Sequence, residues 1–576
     1  MPTHLVNLDA LIEREDFESS AEAAGTLGHE PLFKVEELQK GRLYFSVLRK
    51  PDFQRDTNNW SPDMIVDFVR SFLDSELIPS IILWHSKLTG KVFIVDGAHR
   101  ISALIAWVND DYGDGDISRQ FFGHKVPQAQ AKLHKVTQAL IADKIGTYKK
   151  LLYVGLHPGE TDDETMVRRA RAIATRQPHI QKVEGDAVIA ENSFFKINGN
   201  PATIDQTELD IIRARRKPNA IATRALMRAG TGHKYWGKFP DRAKEIEELA
   251  QSVYDLLFGQ IVDIGAQSTD VPRAGQPYSE EAFRMILDMV NLFNDVTPAM
   301  WRKQPSSDGK KSRKPKTATP LLADDADGTA TLQFLDNIKK VGRLIAGNDY
   351  SGSLGLDQAV YSWGSTGKFH PAALLASLRF AQELRHQNKF KAFTSVRSEF
   401  EEFLVRHKSF LNALGHSKGS RTRSLESLVT MHRIILDSML SGLRTDAEII
   451  AALRSNTRLK DLKDDEPSAD DAPKRFSKSV EAAGIVRDLL AARSRCTVCG
   501  ARLPPFSRSK DHKMRIEDGG KGTLDNLQFT HPYCNSGYKE AGHADAIKAA
   551  GAGGSSVGDD PEWEPLFDDE VQESEN

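Results

Sequence analysis

The chain has 576 residues and a net charge of −3, with 40% apolar and 27% charged residues. This length and composition are typical of about three or four globular domains of roughly 150 residues each. No apolar run reaches the roughly 18–20 residues of a membrane span. The acids in the opening segment MPTHLVNLDALIERED are unlike a secretory signal peptide. We therefore expect a cytoplasmic protein without a membrane partner.

Charge is distributed unevenly along the chain. Segment 559–576 holds nine acids and no bases, and without it the net charge of −3 becomes +6. Such a run predicts a disordered acidic tail, which we place at 549–576. It either shields a basic surface or only aids solubility, and the sequence leaves both readings open.

The first predicted domain is α/β. After an N-terminal extension (1–35) without a clear pattern, it spans 36–230 and carries a helical extension. Ser61 and Pro62 predict the N-cap and first residue of a helix. The apolar stripe of that helix is predicted to be Met64, Ile65, Phe68, Val69, Phe72 and Leu73. The segments IPSIILWHS and KVFIVDG then predict strands, and AHRISALIAWV predicts a second helix.

Helical patterns dominate the middle region, 231–462. Within it, segment 302–320 has seven bases, one acid and three prolines, which predicts an exposed linker. Such a segment could contact phosphates or be a solvated loop. A second linker, 463–480, precedes a small C-terminal module at 481–548.

A candidate phosphate site lies between the second predicted strand and the helix that follows it. Asp96 and Gly97 form a tight turn there, and His99 and Arg100 fall on the first helical turn. Free backbone N–H groups and the helix dipole favour an anion at this position. Turns of this kind are common, however, and Asp96 could be a simple cap.

The order of residues around this turn is more specific. Gln54-Arg55, Trp60, an amphipathic helix, Ile78-Pro79, a strand and Asp-Gly-x-x-Arg follow one another. This order resembles the N-terminal domain of GmrSD-type restriction proteins, within the wider ParB-like group. The resemblance implies a pocket that binds, and often hydrolyses, a nucleoside triphosphate such as GTP, ATP or CTP. The implied nucleotide-binding residues are Gln54, Arg55, Asp96, Gly97, His99 and Arg100.

One departure from that family pattern concerns the turn itself. The common form is Asp-Gly-Gln-Gln-Arg, whereas this chain has Ala98 and His99 at the two glutamine positions. The difference bears on hydrolysis and base preference more than on phosphate binding.

The three cysteines of the chain all lie near its C-terminal end, which is unlike a disulfide framework. His531 and Cys534 repeat the two-residue spacing of Cys496 and Cys499, and imidazole and thiolate are both zinc ligands. We therefore predict a structural Zn²⁺ site formed by Cys496, Cys499, His531 and Cys534. Three free thiols, or a zinc knuckle that binds DNA without catalysis, are the alternatives.

Further polar residues lie between and after these ligand pairs. Asp511-His512, EDGG and Asp525-Asn526-Leu527 follow in order, and Asn535 comes directly after Cys534. Over 496–539 this pattern resembles the zinc-bearing HNH (ββα-metal) nucleases, although many members have His at the position of Asn535.

The resemblance implies metal-dependent phosphodiester hydrolysis. His512 is the candidate general base, since imidazole titrates near neutral pH. Asp511 and Asn535 are the implied ligands of a catalytic Mg²⁺ or Mn²⁺. Asn526 is expected to hold the loop that orients His512.

Together, the two ends of the chain resemble GmrSD- and SspE-type restriction proteins. The predicted architecture is an α/β ParB-like domain, a mostly α-helical middle and a small ββα-metal module. The predicted function is a nucleotide-regulated endonuclease of a phage-defence or modification-dependent restriction system, with NTP hydrolysis in the N-terminal domain. Its expected substrate is double-stranded DNA, including modified phage DNA, and a homo-oligomer is a candidate assembly.

Two other functions stay open at this point. One is a nucleotide-dependent DNA clamp in which the zinc module only grips DNA. The other is a toxin-like nuclease without nucleotide control. The modification sensed, the nucleotide used and the cutting pattern cannot be read from the sequence.

Overall fold

The computed structural model describes residues 5–15, 34–54, 57, 60–86, 89–124, 126–185, 187–198, 206–262, 279–301, 320–415, 421–460, 462 and 476–539. Within these residues, the N-terminal part contains a five-stranded mixed sheet of order β1-β2-β4-β3-β5. Its strands are β1 (Arg14–Glu15), β2 (Leu48–Pro51), β3 (Ile81–His85), β4 (Val92–Asp96) and β5 (Ile180–Lys182). Strands β1, β2 and β4 are parallel, whereas β3 is antiparallel to β4 and parallel to β5.

Nine helices accompany the sheet in the described part of this region. They are α1 (Leu43–Val47), α2 (Pro62–Leu73), α3 (Ala98–Asn109), α4 (Asp116–Phe121), α5 (Gln128–Lys144), α6 (Tyr148–Leu156), α7 (Glu164–Thr175), α8 (Ala187–Asn198) and α9 (Gln206–Arg213). The two strands and two helices predicted from 61 to 109 are thus confirmed. Ser61 is the N-cap of α2, since its side-chain oxygen accepts a hydrogen bond from the Met64 amide at 3.3 Å.

The buried face of α2 differs from the predicted stripe. Met64 is 48% exposed, and Val66 is buried in its place. Helix α2 packs against both α3 and α5, and these two neighbours shift its buried arc away from Met64. Phe68, at the edge of the arc, is only partly buried.

Residues 5–15 belong to the core of the sheet domain. Val6, Leu8 and Leu11 are buried, and Arg14 in β1 pairs with Lys50 in β2. The described part of the predicted N-terminal extension is therefore a structural part of the domain. A two-residue strand is too short to produce a periodic sequence signal.

Helices dominate the described residues in the middle of the chain. Its helices are α10 (Pro218–Met227), α11 (Ala243–Val262), α12 (Glu280–Leu292), α13 (Pro298–Trp301), α14 (Thr329–Ile345), α15 (Gln358–Tyr361), α16 (Pro371–His386), α17 (Phe390–Arg406), α18 (Ser409–Gly415), α19 (Arg421–Leu440) and α20 (Asp446–Ser455). One buried apolar cluster runs from Ile221 in α10 to Leu490 beyond this region.

Helix α21 (Lys478–Ala492) opens the C-terminal module, which we define as residues 478–539. An antiparallel hairpin of β6 (Ser509–His512) and β7 (Leu527–Thr530) follows, and then a π-helical turn at Cys534–Tyr538. The module packs on the middle region, because Leu490 joins the core of that region and the Tyr533 amide donates to the Ser353 carbonyl at 2.9 Å. The hairpin and helical turn agree with the predicted ββα arrangement.

Several predictions fall on segments outside the described residues. They concern linker positions 302–319, most of the second linker and the acidic tail at 549–576. Among the helices that the structure describes, none combines the length and apolarity needed to span a bilayer.

Candidate functional site

Four metal-ligating side chains meet in the C-terminal module. One ligand atom from each of Cys496, Cys499, His531 and Cys534 lies within 4.8 Å of all the others. Cys496, His531 and Cys534 are almost completely buried. Three thiols and one imidazole in a buried cluster of this size fit the ligand set of a tetrahedral zinc site.

The hydrogen bonds of His531 set which ring nitrogen faces the thiols. Its Nε2 donates to the Arg502 carbonyl at 2.9 Å, and because a carbonyl only accepts, Nε2 carries the proton. Nδ1 then presents its lone pair 3.4 Å from Cys499 Sγ and 3.7 Å from Cys534 Sγ. Burial also lowers the pKa of His531, which favours the neutral ring. Metal-ligating histidines typically donate a hydrogen bond from the ring nitrogen that does not bind the metal, as Nε2 does here.

In the absence of a cation, the three thiols compete for negative charge. Hydrogen bonds from Cys499 and Cys534 hold the pKa of Cys496 far below its ordinary value. The hydrogen bond with Cys496 conversely raises the pKa of Cys499 to about 11. The cluster therefore stabilises one thiolate at the expense of the others, a conflict that a divalent cation removes by binding all three.

The β6–β7 hairpin carries Asp511 and His512. Asp511 lies opposite Gln528 in the ladder, and its buried carboxylate accepts a hydrogen bond from Gln528 Nε2 at 2.6 Å. Lys539 Nζ lies 2.9 and 3.0 Å from the two carboxylate oxygens and 2.9 Å from the His512 carbonyl. The Asp511 carboxylate is thus oriented from two sides and already faces a positive charge. The His512 ring is half-buried at the end of the strand.

Asn535 approaches the same strand from the helical turn. Its side-chain amide donates to Ser509 Oγ at 3.0 Å and to the Lys510 carbonyl at 3.4 Å. The turn is widened, since the Lys539 amide bonds back to the Cys534 carbonyl, and such π-turns often occur at functional sites. Asn535 and Lys539 consequently both reach β6.

Asn526 closes the loop that follows His512. Its Oδ1 accepts from the Met514 amide at 2.7 Å, and its Nδ2 donates to the Met514 and Lys521 carbonyls at 3.1 and 2.9 Å. Its backbone carbonyl accepts from the Lys513 amide at 2.8 Å. These contacts are those expected of a residue that fixes the chain directly after His512.

A cavity of about 300 Å³ lies at the predicted phosphate turn. Five of the six predicted nucleotide-binding residues line it, namely Gln54, Asp96, Gly97, His99 and Arg100. Arg55 lies outside the described residues. Aromatic and small side chains complete the wall, namely Trp60, Phe68, Pro79, Ala98 and Phe194.

The turn at the base of this cavity requires glycine. Gly97 has a φ of 91° and precedes α3 without a side-chain cap, which leaves the first amides of the helix for a ligand. A Cβ at this position would lie 3.1 Å from Arg100 and from Ile81. Arg100 Nη2 donates to Asp96 Oδ2 at 2.6 Å, and the rings of His99 and Trp60 stack with centroids 5.7 Å apart.

Buried polar atoms of Gln54 and Arg100 face the cavity without a hydrogen-bond partner among the described residues. They are Gln54 Oε1 and Arg100 Nε, and Gln54 as a whole is only 6% exposed. An unsatisfied buried group costs about 1–3 kcal/mol. A polar ligand in the cavity would offset that cost.

Two protein-family models match parts of the chain. Residues 35–213 match the model of the GmrSD restriction endonuclease N-terminal domain, and residues 496–540 match that of the HNH endonuclease. The order of the two matches corresponds to a GmrSD-like fusion, and we refer to the matched segments as the GmrSD domain and the HNH domain. No curated protein and no solved structure matches the chain. The two domains support a nuclease of the restriction or defence class that acts on DNA.

Three residues at the two sites were not predicted from the sequence. In the HNH domain, Gln528 and Lys539 bind Asp511, and the ladder position of Gln528 could have indicated its contact. In the GmrSD domain, Phe194 reaches the cavity from α8, nearly one hundred positions after the Asp-Gly turn. No local pattern connects Phe194 with that turn.

Proposed function

We propose that this protein is a nucleotide-regulated DNA endonuclease of a phage-defence or modification-dependent restriction system. The observation that carries the proposal is the convergence of functional groups on β6. The Asp511 carboxylate, the Asn535 side chain and the loop fixed by Asn526 all meet at this strand. The matched HNH and GmrSD domains support the same class of function.

In this proposal, each residue of the hairpin has a separate task. His512 accepts the proton of the attacking water as general base. Asp511 and Asn535 supply oxygen ligands for Mg²⁺ or Mn²⁺, which when bound offsets charge on the scissile phosphate. Gln528 keeps the Asp511 carboxylate oriented, Lys539 balances its charge until a metal binds, and Asn526 keeps the His512 loop in place.

We assign the four-residue cysteine and histidine cluster to a structural Zn²⁺. Cys496 and Cys499 precede the hairpin and His531 and Cys534 follow it, so one ion ties the two ends of the domain together. Its binding energy then contributes directly to folding. The buried Nε2 hydrogen bond of His531 supports this assignment.

We assign the cavity of the GmrSD domain to a nucleoside triphosphate. The start of α3 and the Arg100 guanidinium offer donors for phosphate oxygens, and the stacked Trp60 and His99 rings offer an aromatic wall. The unpartnered Gln54 Oε1 can accept a hydrogen bond from a base or sugar. Arg100 would then contact both the ligand and Asp96, with which it is already paired.

Packing between the regions offers a physical basis for regulation. We propose the domain division 36–230, 231–462 and 481–548 with two adjustments: residues 5–15 join the first domain, and α10 packs in the core of the middle region. The HNH domain contacts the middle region through Tyr533, whose ring lies 5.3 Å from that of Phe390, and through Ser507 Oγ, which binds the Gly347 amide at 3.0 Å. A nucleotide-dependent shift of the middle region would therefore reach the hairpin.

A cleavage assay tests the nuclease. Wild type, His512→Ala and the surface control His386→Ala are incubated with plain plasmid and modified phage DNA, in Mg²⁺ or Mn²⁺, with and without GTP, ATP or CTP. We expect cleavage by wild type and the control, changed by nucleotide or by DNA modification, and none by His512→Ala, which still binds DNA. Binding without cleavage under all conditions would instead support the DNA clamp.

Calorimetry tests the nucleotide site separately. Arg100→Ala should weaken triphosphate binding at least tenfold, equivalent to about 1.4 kcal/mol. The exposed Arg70→Ala on α2, where Arg70 pairs with Asp67, is the control and should bind as wild type. Wild-type affinity in Arg100→Ala would remove this residue from the site, and unchanged cleavage would support a nuclease without nucleotide control.

A further inference from the structure

A second cavity lies where the N-terminal sheet meets the helical middle. It has a volume of about 340 Å³ and lies between β1, the end of β2 and the loop 230–239 that joins α10 to α11. Basic side chains dominate its lining, namely Arg14, Arg215, Arg216, Lys234 and Lys238. The acids Glu15 and Asp52 also line it, so that cations exceed anions by three.

Both acids are paired with cations. Asp52 lies 2.8 Å from Arg215, and Glu15 lies 3.0 Å from Arg49 and 2.5 Å from Lys91. Arginine and lysine side chains in the wall and behind it therefore balance the negative charge of these two acids. Arg215 also binds Glu191 at 3.1 Å, so two carboxylates share its charge. Because Arg14, Arg216, Lys234 and Lys238 also line the cavity, its wall still has more cations than anions.

Further charged groups lie directly behind Arg14, which belongs to the floor of the cavity. The buried Asp9 carboxylate binds Arg14 at 2.8 Å, Lys50 at 2.7 Å and Arg228 at 3.2 Å. One anion thus faces three cations in a region sheltered from water, where charges are weakly screened.

Tyr235 completes the floor from the loop. The guanidinium groups of Arg14, Arg224 and Arg228 lie 5.7, 3.8 and 5.4 Å from the centroid of its ring. Burial, together with Arg14 and Arg228, lowers the pKa of the adjacent His233 well below its ordinary value. His233 is therefore neutral near pH 7 and adds no positive charge of its own.

The loop that supplies the remaining groups is held rigidly on α11. Glu247 binds Lys234 Nζ at 2.8 Å and Trp236 Nε1 at 3.1 Å. Gly230 has a φ of 68°, and a Cβ at this position would lie 2.4 Å from the Glu247 carbonyl. Lys234, Tyr235 and Lys238 are consequently presented to the cavity from a fixed backbone.

We propose that this junction cavity binds a phosphate group, carried either by the DNA backbone or by a nucleotide. Fixed arginines present planar donors that match phosphate oxygens, and lysines at the rim add point charge. The site is distinct from the cavity at Gly97 and does not depend on cleavage at His512.

A ligand in the junction cavity would also affect the cavity at Gly97, because the same stretch of chain lines both. Asp52 lines the junction cavity and Gln54 lines the cavity at Gly97, so a three-residue segment connects the two. The Arg14 guanidinium donates to the Gln54 carbonyl, which fixes this segment from the junction side. A phosphate that draws on Arg14 therefore acts on the wall of the first cavity as well.

DNA binding provides the first arm of the test. In the full-length His512→Ala background, Arg216→Ala/Lys238→Ala is compared with Lys149→Ala/Lys150→Ala, which removes the same charge from exposed positions on α6. Binding of a fluorescent duplex is measured by anisotropy from 50 to 300 mM salt. If the phosphate belongs to DNA, affinity should fall about tenfold, and the salt slope should fall by about 1–2 relative to the control.

Nucleotide binding provides the second arm. The same variants are titrated with ATP, GTP and CTP by calorimetry, and a second binding event that only Arg216→Ala/Lys238→Ala loses would assign the phosphate to a nucleotide. Lys238→Glu alone, at an exposed position, repeats both arms if the double variant fails to fold. If neither ligand distinguishes the cavity variants from the control, the inference is wrong.

Discussion

A buried ion pair in the middle region contacts, through Gly355, the proposed zinc site. Arg397 and Glu401 lie one turn apart on α17, 2.8 Å from each other, and both side chains are fully buried. Arg397 also donates to the carbonyls of Leu354 and Gly355. Gly355 in turn packs on the His531 ring, since a Cβ there would lie 3.0 Å from its Cδ2 atom.

Arg397→Met removes the guanidinium while keeping most of the side-chain volume. It leaves the Glu401 carboxylate buried without its cation and leaves two carbonyls without their donor. Breaking a buried pair in this way costs about 3–5 kcal/mol. Arg406→Met on the same helix is the matched control, because Arg406 is 51% exposed and pairs with Asp446 at 2.7 Å. Loss of such a surface pair costs about 0–1 kcal/mol.

Urea unfolding of the full-length protein, followed by circular dichroism, measures the difference between these variants. We also expect zinc to dissociate faster from Arg397→Met, because the contact of Gly355 with His531 loosens. Arg397→Met/Glu401→Leu should lower the free energy of unfolding by less than the sum of the two single changes. If Arg397→Met is no more destabilising than Arg406→Met, the pair does not support the cluster.

Three further predictions concern the metal sites and the first cavity. Cys496→Ala should lose zinc and lower the melting temperature of the C-terminal module, because metal binding there is folding energy; full zinc content in this variant would contradict the four-ligand assignment. Lys539→Met removes a cation that competes for Asp511, so Mn²⁺ should bind roughly tenfold more tightly in electron paramagnetic resonance titrations, a gain of about 1.4 kcal/mol. Weaker Mn²⁺ binding would instead show that Lys539 positions the carboxylate. Gly97→Ala should destabilise the protein more than Gly90→Ala, since both have positive φ but only Gly97 has atoms near the added Cβ; equal melting temperatures would refute the packing argument.

Local sequence patterns predicted the helix and strands around the Asp-Gly turn and the cysteine ligand cluster. Helix α2 and strands β3 and β4 follow from apolar periodicity, and the Ser61 cap follows from hydrogen-bonding chemistry. The spacing of the cysteines likewise indicated the ligand cluster, because two-residue spacing brings both thiols of a pair to one ion. These features depend on residues that are close along the chain.

The tertiary structure decided what lies beside those motifs. Lys539 and Gln528 bind Asp511 because the hairpin register and a π-helical turn place them there. The predicted stripe of α2 was wrong at Met64, since the contacts of α2 with two other helices set which face is buried.

The junction cavity also combines a feature visible in the sequence with contacts that only the tertiary structure creates. The sequence displays the basic and aromatic loop 230–239, but only folding brings it against Arg14 and Arg215 from other parts of the chain. Periodicity and spacing report on neighbours along the chain. Groups that converge from positions hundreds of residues apart are brought together by packing, which no local pattern encodes.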